Sequence, residues 1–157
     1  MIFTTKAEYG VRLLIQLGLD GAPPTSLKAV AEAEGLPLAY LERIAALLKR
    51  ADLVTSTRGA HGGYELARPA QDITMDQVVL ALEGAVAPMD CFFDDREGRV
   101  QCSHHGEEAN ACATKLLWTR VQLGVIRSLQ RTTLAELVAF TRTPVSVSVS
   151  VERGIPV

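Results

Sequence analysis

Apolar positions near the start of the chain recur at helical spacing. In TTKAEYGVRLLIQLGLD, Ala7, Val11, Leu14, Ile15 and Gly18 fall on one face, and Thr5 followed by Glu8 predicts a capping box. GAPP breaks the pattern. TSLKAVAEAEG predicts a short second helix, capped by Thr25 or Ser26 and stopped by Gly35. LPLAYLERIAALLKRADL predicts a third, with Pro37 in its first turn and Leu41, Ile44, Leu47 and Leu48 turned inward. The link between the second and third helices is a few residues long and contains glycine, which is a helix-turn-helix arrangement.

The period then changes. In LVTSTRGAHGGYEL two short β-prone runs, Val54 to Thr57 and Tyr64 to Leu66, flank a loop with three glycines, predicting a hairpin whose tip carries Arg58 and His61. Helical spacing returns in ITMDQVVLALEG, with Thr74 and Gln77 as a capping box and Gly84 as the stop. ATKLLWTRVQLGVIRSLQ puts Trp118, Val121, Val125 and Leu129 on one stripe, with Leu116, Leu123 and Ile126 partly off it. A helix apolar on more than one side needs more than one packing surface. It is read as a dimerisation helix; the alternative is a central core helix of a monomer. TTLAELVAF adds a short helix capped by Thr133 with Glu136, and the tail alternates Val and Ser.

The fold class expected is mainly α with a small β-hairpin wing: a winged helix-turn-helix plus a long dimerisation helix. The boundaries are a winged helix-turn-helix over 1–85, a cysteine-bearing segment over 86–112, the dimerisation helix and C-terminal helix over 113–143, and a tail over 144–157.

Composition narrows the class without naming it. At 157 residues and 48% hydrophobic, the chain suits one compact domain with an appendage, or a small protomer that pairs. The opening MIFTTKAEYG lacks a basic start, apolar core and small-residue cleavage site, so no signal peptide is expected. No apolar run approaches membrane-spanning length, and a cytoplasmic location follows as the expectation.

A net charge of −2 gives no global sign of a polyanion partner, but the charge is uneven. Residues 36–68 carry five basic groups (Arg43, Lys49, Arg50, Arg58, Arg68) against three acidic. Residues 89–112 carry six acidic groups against two basic. The first segment suits phosphates and the second would repel them. Ala39, Tyr40 and Arg43 lie early on the third helix, where side chains of a helix-turn-helix reach base edges, and Arg43 suits bidentate pairing with guanine. Arg58 and His61 on the wing suit phosphate or minor-groove contact, and Gly59, Gly62 and Gly63 permit close backbone approach.

All three cysteines, Cys91, Cys102 and Cys112, sit in the acidic segment, separated by ten and nine residues. The odd number argues against a disulfide framework, and these gaps are not the tight C-x-x-C spacing of a zinc ribbon. Three thiolates folded onto one centre suit an iron–sulfur cluster. His104 and His105, within the same segment, are candidate further ligands, for a cluster or for a three-cysteine, one-histidine zinc site. Bare thiols acting as an oxidation switch are the remaining reading.

YLERIAALLKRADLVTSTRGAHGGYELAR, followed by LALEG and by LLWTRV and TTLAEL, resembles the Rrf2 family of bacterial winged-helix transcription regulators over about residues 2–140. The thiol segment resembles that of members carrying an iron–sulfur cluster, which regulate cluster assembly or sense nitric oxide. That resemblance implies a homodimer binding an imperfect palindrome of double-stranded DNA, a repressor role, and a cluster of 2Fe–2S or 4Fe–4S type. It also implies a carboxylate ligand at Glu8, the position that sensing relatives use. The cluster-assembly regulators instead have a histidine three residues after the last cysteine, where this chain has Lys115.

A cluster-free regulator switched by thiol oxidation, zinc or a protein partner stays open beside this. An enzyme is not expected: no nucleophile triad order, phosphate loop or dinucleotide fingerprint occurs, and GAHGGY lacks the Gly-Lys-Ser/Thr of a P-loop.

Overall fold

The computed structural model describes residues 4–20, 24–59, 62–84 and 113–143. The element order is α1 (Thr5–Asp20), α2 (Leu27–Glu34), α3 (Leu38–Arg50), β1 (Val54–Thr57), β2 (Gly63–Leu66), a single 3₁₀ turn (Ala70–Asp72), α4 (Met75–Glu83), α5 (Ala113–Arg131) and α6 (Leu134–Arg142).

Most helix limits follow from their caps. Ser26 Oγ accepts from Ala29 N at 3.2 Å to start α2, and Gly35 ends it at φ 65°, a left-handed backbone that glycine adopts without steric cost. At the start of α4, Gln77 Oε1 accepts from Thr74 N, closing the expected capping box. Thr133 Oγ1 accepts from Glu136 N at 3.3 Å before α6.

Two start signals differ from expectation. The Thr5–Glu8 capping box does not form, because Thr4 caps α1. Its carbonyl accepts from Ala7 N and Glu8 N, and its hydroxyl accepts from Lys6 N at 3.2 Å. Thr5 is already the first helical residue, and Glu8 is left free of capping. Pro37 sits just before α3 instead of within its first turn.

The core forms where α1 meets α3, α4 and α6. Leu13, Leu14, Leu41, Ile44, Leu48, Leu53, Val78 and Leu134 are fully or almost fully buried in it. Of the four inward positions expected on α3, Leu41, Ile44 and Leu48 are buried, while Leu47 is half-buried and Ala45 completes the face. The α6 helix returns to this core: Leu134 N donates to Ile73 O at 2.8 Å, Val138 is buried, and Arg142 Nη2 caps the Leu19 carbonyl at 3.0 Å.

The two strands pair antiparallel in the register Val54–Leu66, Thr55–Glu65, Ser56–Tyr64 and Thr57–Gly63. Thr25, just before α2, adds an isolated bridge to Tyr64, with bonds of 2.9 and 2.8 Å in the two directions. The hairpin is thus tied to the helix-turn-helix as well as to the end of α3.

None of the α5 side chains described is buried. The helix packs on α4, and among the described residues Leu116, Leu117, Val121 and Leu123 are left exposed. At 19 residues it is about 28 Å long.

Candidate nucleic-acid interface

The start of α2, the outer face of α3 and the hairpin enclose a groove of about 660 Å³. Each wall has a sequence cause. The Ser26 cap sets the first turn of α2, which brings Lys28 to the rim. The apolar stripe of α3 turns Leu41, Ile44 and Leu48 into the core, so Leu38, Glu42 and Lys49 point the other way, into the groove. On the wing side, Ser56, Thr57 and Arg58 follow one another along the groove wall. Lys49 Nζ donates to Ser56 Oγ, joining the last turn of α3 to β1.

Three cations therefore line one groove with a single carboxylate, Glu42. Lys28 also pairs with Glu32 at 3.9 Å, but both side chains are exposed. An ion pair of that kind contributes roughly 0–1 kcal/mol and yields readily to a phosphate. Lys49 and Arg50 in the last turn of α3 also complement the negative end of that helix.

The expected site residues divide. Arg58 lines the groove. Ala39 and Arg43 are exposed on α3 beside it, and Arg43 makes no ion pair among the described residues. Tyr40 is half-buried against the core, its ring at 86° to that of Tyr9 with centroids 5.7 Å apart. Gly59 is exposed at φ 125°.

Gly62 and Gly63 have an intramolecular reason to be glycine. A Cβ at 62 would strike the Thr57 carbonyl, and one at 63 would lie 2.6 Å from the Thr25 backbone. The close approach they permit includes the hairpin's own closure and the Thr25 bridge. His61 lies outside the described residues.

Lys28, Leu38, Glu42 and Ser56 were not singled out by sequence reasoning as groove residues, and Lys49 only as one of the basic groups of a segment suited to phosphates. Leu38, Glu42 and Lys49 sit at helical spacing opposite the buried stripe, a signal that was available. Lys28 and Ser56 come from other elements and are joined to them only by the fold.

Of the proposed metal ligands, Cys91, Cys102, Cys112, His104 and His105 lie outside the described residues. Glu8 is described: it sits in the first turn of α1 with its side chain 60% exposed, paired with Arg12 at 3.6 Å. Arg12 also reaches Glu34 on α2 at 3.8 Å. At the other end of α4, Glu83 accepts from the Thr4 hydroxyl and pairs with Lys6 at 3.6 Å, holding the start of α1 to the point where the thiol segment departs.

Comparison with known proteins gives a consistent set. The Rrf2 family model, described as iron-dependent transcriptional regulators, matches residues 3–140. The protein named rrf2 of Nitratidesulfovibrio vulgaris is 38% identical over 138 residues, covering 87% of each chain. The structure of CymR, the global cysteine regulator of B. subtilis, superposes with a TM-score of 0.72 at 33% identity, covering 89% of this chain and 98% of that one. The IscR of T. potens superposes with a TM-score of 0.70 at 29% identity, covering 94% of each. Among the described residues, no helix is long and apolar enough to cross a membrane.

Proposed function

The chain belongs to the Rrf2 family of DNA-binding transcriptional regulators, and from that premise we propose that it is a cytoplasmic homodimeric repressor. It grips an imperfect palindrome of double-stranded DNA and responds to a redox- or nitric-oxide-sensitive iron–sulfur cluster. The observation that carries the DNA-binding part is the groove itself, where α2, α3 and the wing present Lys28, Lys49 and Arg58 on one face. Two copies related by a twofold axis would place two such faces on successive major grooves.

In this reading Arg43 reads a base edge and Arg58 holds a phosphate. The Arg43→Ala variant should lose about 1–3 kcal/mol of binding and relax preference at one step of each half-site. The Arg58→Ala variant should weaken all sequences alike and flatten the slope of log affinity against log salt by about 1 per subunit. Mobility-shift titrations on matched and scrambled duplexes at several salt concentrations separate the two. An Arg58 variant with an unchanged salt slope would remove it from the interface.

For the cluster, the donor set is chemically suited: three thiolates, the preferred ligands of iron–sulfur centres, and an exposed Glu8 side chain that pairs with Arg12. Cys91, Cys102, Cys112 and Glu8 would hold it, with His104 or His105 as the alternative fourth donor. When bound, the cluster would supply a centre that oxidants or nitric oxide alter. This chain's own part is to tie that centre to the reading head. Glu8 lies on α1, whose buried face packs against α3, so a change of partner at Glu8 bears on the helix that reads DNA.

Protein purified without oxygen should be brown, with matched iron and acid-labile sulfide, and Cys102→Ala should be colourless. If Cys102→Ala also kept the same DNA affinity with and without oxidant, the switch would be wrong.

The likeness to the global cysteine regulator favours a second reading. In it the same three cysteines act without iron, through thiol oxidation, zinc or a protein partner. Colourless wild-type protein that resists reconstitution, yet loses DNA binding reversibly on oxidation, would select it.

A further inference from the structure

Leu38 is the first residue of α3 and is 38% exposed, although it is large, apolar and the immediate neighbour of a helix stripe that buries its leucines. It lies in the groove with Lys28, Lys49 and Arg58, and with the Ser26 cap at its edge. Nothing in the described chain covers it. The cations around it choose the occupant: they suit a polyanion and disfavour a second apolar protein surface. On a polyanion duplex, the 5-methyl of thymine is the apolar group displayed on the major-groove edge. We infer that Leu38 is a specificity-determining residue that reads the 5-methyl group of a thymine in each half-site.

The inference rests on the DNA-binding reading and adds a residue and a base to it. The two have different signatures. Glu42, one turn further along the same face, carries a charge and is indifferent to a methyl group. Arg43 can pair with the hydrogen-bonding edge of a base, which a methyl group does not offer. A contact made by Leu38 is apolar and local, so it vanishes when the methyl group alone is deleted.

The test begins with selection of bound duplexes from a random double-stranded library by wild-type protein. The selected duplex is then resynthesised with deoxyuridine replacing each thymine pair in turn, which removes the methyl and keeps every hydrogen-bonding group. Wild type should lose about fourfold per half-site at one symmetric position, or roughly fifteenfold for a dimer, from the burial of one methyl group.

In Leu38→Ala the uracil and thymine duplexes should bind equally, and Leu38→Met should restore the difference. Thermal unfolding of the full chain should be unchanged, since the side chain is outside the core. Uracil penalties that are the same in wild type and Leu38→Ala, or a selected site with no thymine in either half, would overturn the inference and leave DNA reading intact. Failure of wild type to select any sequence would instead sink the DNA-binding reading and this inference with it.

Discussion

Replacing Leu116 and Leu123 together by glutamate should convert the protein to a monomer and cut its affinity for a two-half-site duplex by about a hundredfold or more. The two leucines are seven residues apart, so they sit two turns from each other on one side of α5. They are 55% and 44% exposed, and Leu117 and Val121, on another side of the helix, are exposed as well. Monomers rarely leave so many large apolar side chains of one helix uncovered.

A matching helix from a second copy would cover Leu116 and Leu123, and full burial of each leucine contributes about 1.5–3 kcal/mol. Glutamates there leave carboxylates that pay desolvation without a partner. Light scattering should report half the mass, while the melting temperature of the winged-helix unit holds, because none of these residues enters its core. A duplex with a single half-site should bind variant and wild type alike. A double variant that stays dimeric would show that the pairing surface is elsewhere.

The second large effect is on stability. Ile44→Ala should destabilise the fold by about 3 kcal/mol, a substantial part of the roughly 5–15 kcal/mol a domain of this size has. Ile44 is only 1% exposed and packs where α1, α3 and α4 converge. Its truncation leaves a cavity bounded by three helices, none of which can close it without losing contacts elsewhere. The expected drop in melting temperature is about 6–12 °C. Arg43→Ala, one residue earlier, is the control: Arg43 is exposed, so its loss should cost DNA binding and leave melting unchanged. An equal loss of stability in both variants would mean that the two faces of α3 are not separate in function.

Much of this was legible because helix ends announce themselves chemically. Ser26, Gly35, Gln77 and Thr133 do the jobs their residue types and spacing predicted. The Thr5–Glu8 pair shows the limit, since Thr4 offers the same hydroxyl one residue earlier and the chain uses it. The groove was less legible. Its cations come from α2, α3 and the wing, and no single stretch of sequence reveals that Lys28 and Arg58 share a wall.

Tyr40 sits at a reading position by sequence and also packs against Tyr9, a contact between distant segments that periodicity does not encode. Gly62 and Gly63 have in addition an intramolecular need for glycine, set by the Thr57 and Thr25 backbone, that their sequence does not announce. The thiols are the opposite case, conspicuous in sequence by being confined to one segment.

The return of α6 to the core has a consequence for how the protein is made. Ile73, wholly buried, gives its carbonyl to Leu134, and the carbonyl end of α1 is capped by Arg142. Those partners leave the ribosome only after the thiol segment and the whole of α5. The nascent chain can therefore assemble its helix-turn-helix early but cannot seal it. By the time that core is sealed, the whole of α5 has already been made. A chain released before α6 should therefore present an unfinished core to proteases.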